Sequence, residues 1–183
     1  MVNENIVIQQ TEKWIKSVVI DLNFCPFASK ALLQKSIGYS VLCDQVGVSL
    51  ILETLLKEYQ LLDKQKNTET SFVILTEAFT DFKSYLTLVK KAEQHLQKNN
   101  YDGVYQIASF HPNYCFAGSS ESDPANYTNR SPYPMLHILR EESLTKALNL
   151  YPHPENIPDN NIELAHKKGL AYMQMLRLAC FDV

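Results

Sequence analysis

Between Ser109 and Glu141 the chain reads SFHPNYCFAGSSESDPANYTNRSPYPMLHILRE, a single segment that carries His111, Asn126, Asn129, Arg130, His137, Arg140 and Glu141. These side chains cover most of the groups that polar catalysis draws on. His111 follows a strand-like run and precedes Pro112, so its ring is placed by rigid backbone and suits a general acid or base. Arg130 and Arg140 each offer a guanidinium fork that matches a carboxylate or a phosphate. Asn126 and Asn129 are of the type that orients a substrate or stabilises developing negative charge. Outside the segment, Cys25 in LNFCPFA stands before Pro26 at the expected exit of a helix, where a nearby cation would activate its thiol as a nucleophile.

The leading expectation is an enzyme acting on a small anionic metabolite, a carboxylate or a phosphate. Cys25 and His111 are its catalytic candidates, and Asn126, Asn129, Arg130, His137, Arg140 and Glu141 its substrate-binding candidates. Ser131 and Pro132 read as the cap and first residue of a helix, which would set Arg130 beside free amide groups and a favourable dipole. On that helix His137, Arg140, Glu141, Leu144 and Leu148 share one inward face. Two alternatives stand beside this reading. One is a zinc or iron protein using His111 and His137 with Cys25, Glu141 or Asp44, but no H-E-x-x-H or similarly close spacing supports it, so no metal ligand is assigned. The other is a non-catalytic module that senses a metabolite or docks a protein through Tyr114, Tyr127 and Tyr133. Its plainest form is a polar plug in which the histidines bond to loop carbonyls, the arginines pair with Glu141, Asp123 or Asp44, and Cys25 is a small buried apolar group.

The rest of the chain bounds these readings. A chain of 183 residues, 45% apolar and 20% charged, is expected to form one domain over residues 1–183 with a true core. The formal charge of −3 and the lack of a basic run argue against nucleic acid, which demands a concentrated cationic face. No apolar window is long enough for a bilayer span, and the N-terminal apolar pattern is interrupted by Glu4, Glu12, Lys13 and Lys16. A cytoplasmic protein with no membrane partner is therefore expected. The four cysteines form no C-x-x-C pair and read as free thiols. No phosphate-binding loop, dinucleotide fingerprint or serine elbow appears, so no cofactor is assigned, and the oligomeric state is open.

The elements that must position these groups follow from periodicity. Val7, Trp14, Val18 and Leu22, with Ile15 and Val19 beside them, predict a helix over residues 5–22. IGYSVLC, SFVILTE and GVYQIASF predict strands, separated by helices with stripes through Leu52 to Leu62 and Phe82 to Leu96. This alternation predicts an α/β fold, a small parallel sheet of at least three strands with crossover helices and additional N- and C-terminal helices. Asn160 and Glu163 form a capping box for a last helix continuing through Gly169 to Cys180. In a parallel sheet, ligands gather beyond the carboxyl ends of the strands, which points to the edge holding Asp44, Glu77 and His111.

LNFCPFA, SFHPNYCFAG and NYTNRSPYPMLHILRE, with the strands between them, resemble a bacterial family of similar length and unknown function. The resemblance implies importance for Cys25, Pro26, His111, Pro112, Tyr114, Asn126, Asn129, Arg130, Pro132, Pro134, His137, Arg140 and Glu141. At Cys115 the family pattern carries glutamine, which weighs against a metal-ligand role there. The resemblance supplies neither an activity nor a cofactor.

Overall fold

The computed structural model describes residues 3–183. Asn3 caps the first helix by accepting the Asn5 N–H, and α1 (Glu4–Trp14) runs without a break into a wider, π-helical stretch, Ile15–Ile20. The apolar residues Trp14, Val18 and Leu22 recur every fourth position, ahead of the ordinary helical period, and the wider turn keeps all three buried. The turn also lets Val19 O accept from Phe24 N at 2.9 Å and Cys25 N at 3.3 Å, which swings the chain into the short α2 (Ala28–Leu33).

Three strands appear where the apolar runs predict them: β1 (Ile37–Leu42), β2 (Thr70–Leu75) and β3 (Tyr105–Phe110). The crossover helices α3 (Val48–Lys64) and α4 (Phe82–Lys98) connect them. All three strands run in one direction, yet only β1 and β2 pair in parallel. A fourth strand, β4 (Met135–Arg140), lies antiparallel between β2 and β3, giving the order β1-β2-β4-β3. This corrects two expectations, the wholly parallel sheet and the helix starting at Ser131. MLHILR sends Met135, His137 and Leu139 to one face and Leu136, Ile138 and Arg140 to the other. Both faces are covered, so it shows no polar alternation to distinguish it from a helix. Pro132 and Pro134 precede the strand, where a missing N–H is tolerated, and Pro134 O accepts from Leu75 N at 2.9 Å.

One face of the sheet packs on α3 and α4 around Leu55, Tyr59, Val73, Tyr85, Leu136 and Ile138. The other packs on the N-terminal helix and the C-terminal helices around Trp14, Val18, Phe72, Ile74, Met135 and Met173. The C-terminal helix is not continuous: α6 (Ile157–Lys168) and α7 (Leu170–Ala179) meet at Gly169, whose φ of +80° suits glycine. Asn156, not Asn160, occupies the N-cap position of α6, with Pro158 in its first turn. The remaining helix, α5 (Glu141–Leu150), follows β4 directly, and neither it nor α2 contains a buried residue. No helix among the described residues is long and apolar enough to cross a membrane.

Candidate functional site

On the α1 side of the sheet lies a cavity of about 640 Å³. Its floor is the sheet face bearing Phe72, Ala108, Phe110, His137 and Leu139. Its walls are Trp14, Ile15 and Val19, the Cys25–Ala31 segment, and Leu144, Ala147 and Leu150 of α5. Phe27 and Tyr151 meet edge-on at 5.7 Å between ring centres and join the two walls. Lys30, Glu69, Arg140 and Lys146 also line it, three cations against one carboxylate, although Lys146 pairs with Glu142 at 2.5 Å. Because β4 runs antiparallel, its carboxyl end lies beside the starts of β1 and β2. The cavity borders Ile37 and Thr70 there, away from the edge at which a parallel sheet would place it.

His137 sits centrally in this floor. Its ring stacks on Phe72 with centres 3.9 Å apart and planes within 5°, and Ala108 is its neighbour on β3. Nε2 lies 2.6 Å from Thr70 Oγ1, and the Thr70 hydroxyl in turn donates to Ile138 O. The threonine proton is thereby committed, so Nε2 carries the hydrogen and Nδ1 keeps its lone pair. No hydrogen-bond partner meets Nδ1 among the described residues. Burial pushes the pKa of His137 down to about 3, which leaves the ring neutral at physiological pH.

Cys25 lines the same cavity, half-buried at the entry to α2. Burial pushes its thiol up, and the amide groups of Phe27 and Ala28 only partly offset that effect. The thiol is therefore protonated at neutral pH, and a neutral imidazole of low basicity is not matched to remove its proton.

The other sequence-predicted residues lie elsewhere. His111 is fully buried at the end of β3, between Phe82 and Tyr85, and does not line the cavity. Asn113 N donates to its Nδ1 at 2.9 Å, so Nε2 donates to Phe79 O at 3.0 Å. Phe79 presents that carbonyl from a left-handed backbone, φ +57°. Burial holds His111 below the usual histidine range despite this carbonyl and Asp81. Asn126 is fully buried and spends its side chain on the loop: Oδ1 accepts from Phe116 N and Ser119 Oγ, each at 2.9 Å, and Nδ2 donates to Ser120 O at 2.8 Å. Asn129 Nδ2 donates to Ser109 O at 3.2 Å. Arg130 donates through Nε to Tyr114 O and through Nη2 to Glu121 O, with its guanidinium 4.7 Å from the centre of the Tyr127 ring. No helix begins beside it.

Arg140 borders the cavity, but its fork closes the end of α3. It donates to Leu62 O, to Thr68 O at 3.0 Å and to the Tyr105 hydroxyl at 3.1 Å. Neither arginine makes an ion pair among the described residues. Glu141 begins α5 and its N–H donates to Val104 O at 3.0 Å; it does not share a helical face with His137 and Arg140. Cys25 and His137 thus share a cavity, while His111, Asn126, Asn129 and Arg130 belong to an internally bonded loop. Among the described residues no three His, Cys, Asp or Glu side chains converge as a metal site requires. Sequence reading missed Trp14, Thr70, Phe72 and the wall of α5.

No curated protein and no solved structure matches the chain. A family described as Protein of unknown function (DUF1415) matches residues 6–175, and the chain belongs to that family.

Proposed function

We propose that the protein binds a small molecule with a largely apolar body and an anionic head, a carboxylate or a phosphate, in the cavity between the sheet, α2 and α5. The observation that carries this reading is the cavity itself. At about 640 Å³ it falls within the range of small-molecule sites, and its apolar walls surround few polar groups. An apolar body against Trp14, Phe72, Phe110 and Leu144 would release ordered water, and the head would meet Lys30 at the margin. Nδ1 of His137 would accept a hydrogen bond from a hydroxyl or amide of the ligand. The raised Cys25 thiol and the neutral His137 support binding in preference to nucleophilic catalysis.

The test is alkylation of the native protein by iodoacetamide, followed residue by residue by mass spectrometry, with and without decanoate. Decanoate is expected to slow modification of Cys25 several-fold and to leave that of Cys115, which lies outside the cavity, unchanged. Equal rates at Cys25 with and without decanoate, up to its solubility limit, would refute the apolar-bodied ligand.

A further inference from the structure

A second hollow, of about 350 Å³, lies away from the cavity and is lined by Tyr127, Gln174, Arg177 and Leu178. Arg177 is half-buried on the inner side of α7. Its Nε donates to Ser131 O at 2.9 Å, which fixes the plane of the guanidinium and leaves both Nη groups without a partner among the described residues. Arg130, packed over the Tyr127 ring, keeps its Nη1 free in the same way. The Tyr127 hydroxyl and the Gln174 amide also make no hydrogen bond among the described residues. Burial pushes the Arg177 guanidinium below its usual value, and the nearby charge of Arg130 acts in the same direction. Neither arginine has a carboxylate partner among the described residues. Arg130 packs on Tyr127 outside the lining of the hollow, so its charge adds to that of Arg177, and an anion held by Arg177 relieves both the repulsion and the lost hydration.

We propose that this hollow binds a phosphate group, free or as the monoester of a small metabolite, held by the Nη groups of Arg177, with Tyr127 and Gln174 completing the donor set and the charge of Arg130, packed on Tyr127, adding attraction. A carboxylate has two oxygens to offer these donors, whereas a phosphate presents three or four toward several directions and carries more charge. The site is independent of the apolar cavity, with which it shares no lining residue.

Calorimetric titration of the full chain with inorganic phosphate, glycerol phosphate and acetate, in a buffer free of other oxyanions, tests the assignment. Saturable binding of inorganic phosphate or glycerol phosphate is expected, with acetate at least ten-fold weaker, and the stronger of the two phosphates identifies the free or esterified form. Arg177→Gln is expected to weaken phosphate by roughly ten-fold or more, since it removes charge-assisted bonds. Lys30→Gln, which removes the cation offered to a head group in the apolar cavity, is expected to leave it unchanged, which separates this site from the one proposed above. Gln174→Leu alters an exposed side chain and serves if Arg177→Gln does not fold; it is expected to weaken phosphate several-fold. Absence of phosphate binding, acetate binding as tight as phosphate, or wild-type affinity in the folded Arg177→Gln protein (in Gln174→Leu if that variant does not fold) would overturn the proposal.

Discussion

Replacing His137 by phenylalanine tests the placement of this histidine most sharply. The ring stacks on Phe72 and faces Ala108, so another flat ring fits, and the Thr70 hydroxyl retains its bond to Ile138 O. What disappears is a titration. In the unfolded chain the imidazole takes a proton near its ordinary value of 6.5, whereas burial lowers the folded value to about 3. The unfolded state therefore binds more protons below neutrality. The stability contributed by neutral His137 is fully present above the unfolded value and is lost as pH falls toward the folded one. Over the window from pH 7 to about pH 4.5, this linkage amounts to about 2.5 kcal/mol. Urea unfolding across that range is expected to show the wild type losing about 2.5 kcal/mol more than His137→Phe. His111, also lowered by burial, contributes in the same direction to both proteins, so the difference between them isolates His137. Parallel pH profiles for the two proteins would refute the buried, neutral assignment.

The arginine and asparagine of the loop and sheet give two further expectations. Arg140→Ala removes the donor shared by Leu62 O, Thr68 O and the Tyr105 hydroxyl, and is expected to lower stability by about 2 kcal/mol in urea unfolding with no ligand present. Unchanged stability would instead make this arginine free for an anion. Asn126→Ala leaves the Phe116 N–H and Ser120 O of the loop without their buried partner, and is expected to cost about 2 kcal/mol. It should also speed proteolysis between Asn113 and Asp123, a change that an asparagine acting only on a ligand would not produce.

Much of the frame was legible because local signals agreed with tertiary ones. β2 is a run of apolar and small residues, buried along its whole length, and Asp81 caps α4 by accepting the Ser84 N–H at 2.8 Å as its position implies. β4 was not legible for a physical reason. A central strand covered on both faces loses its period of two, and the recurrence of 137, 140, 141, 144 and 148 mimicked a helix that begins only at Glu141. That one misreading carried the site with it. With β4 antiparallel, His137 faces the N-terminal helix and Arg140 faces α3, so residues expected on one surface are divided by the sheet. His111 and Asn126 stood out in the sequence as candidate site residues, yet their polar groups are spent on the loop around them, and only the fold could show which carbonyls and amides were within reach. The π-helical turn that delivers Cys25 to the cavity left one trace, the four-residue spacing of Trp14, Val18 and Leu22.

Trp14 is the single tryptophan of the chain, is buried, and forms part of the cavity wall, with its indole N–H donating to Arg130 O at 3.1 Å. Its fluorescence is therefore a direct reporter of occupancy. The decisive measurement is a titration of this emission with decanoate, on the wild type and on Ala147→Phe, which fills the cavity from α5, an element with no buried residue. A saturable change in the wild type that is lost in Ala147→Phe is the predicted result. A flat titration in the wild type, or one that persists unaltered in the filled variant, would contradict a ligand-binding cavity between the sheet, α2 and α5.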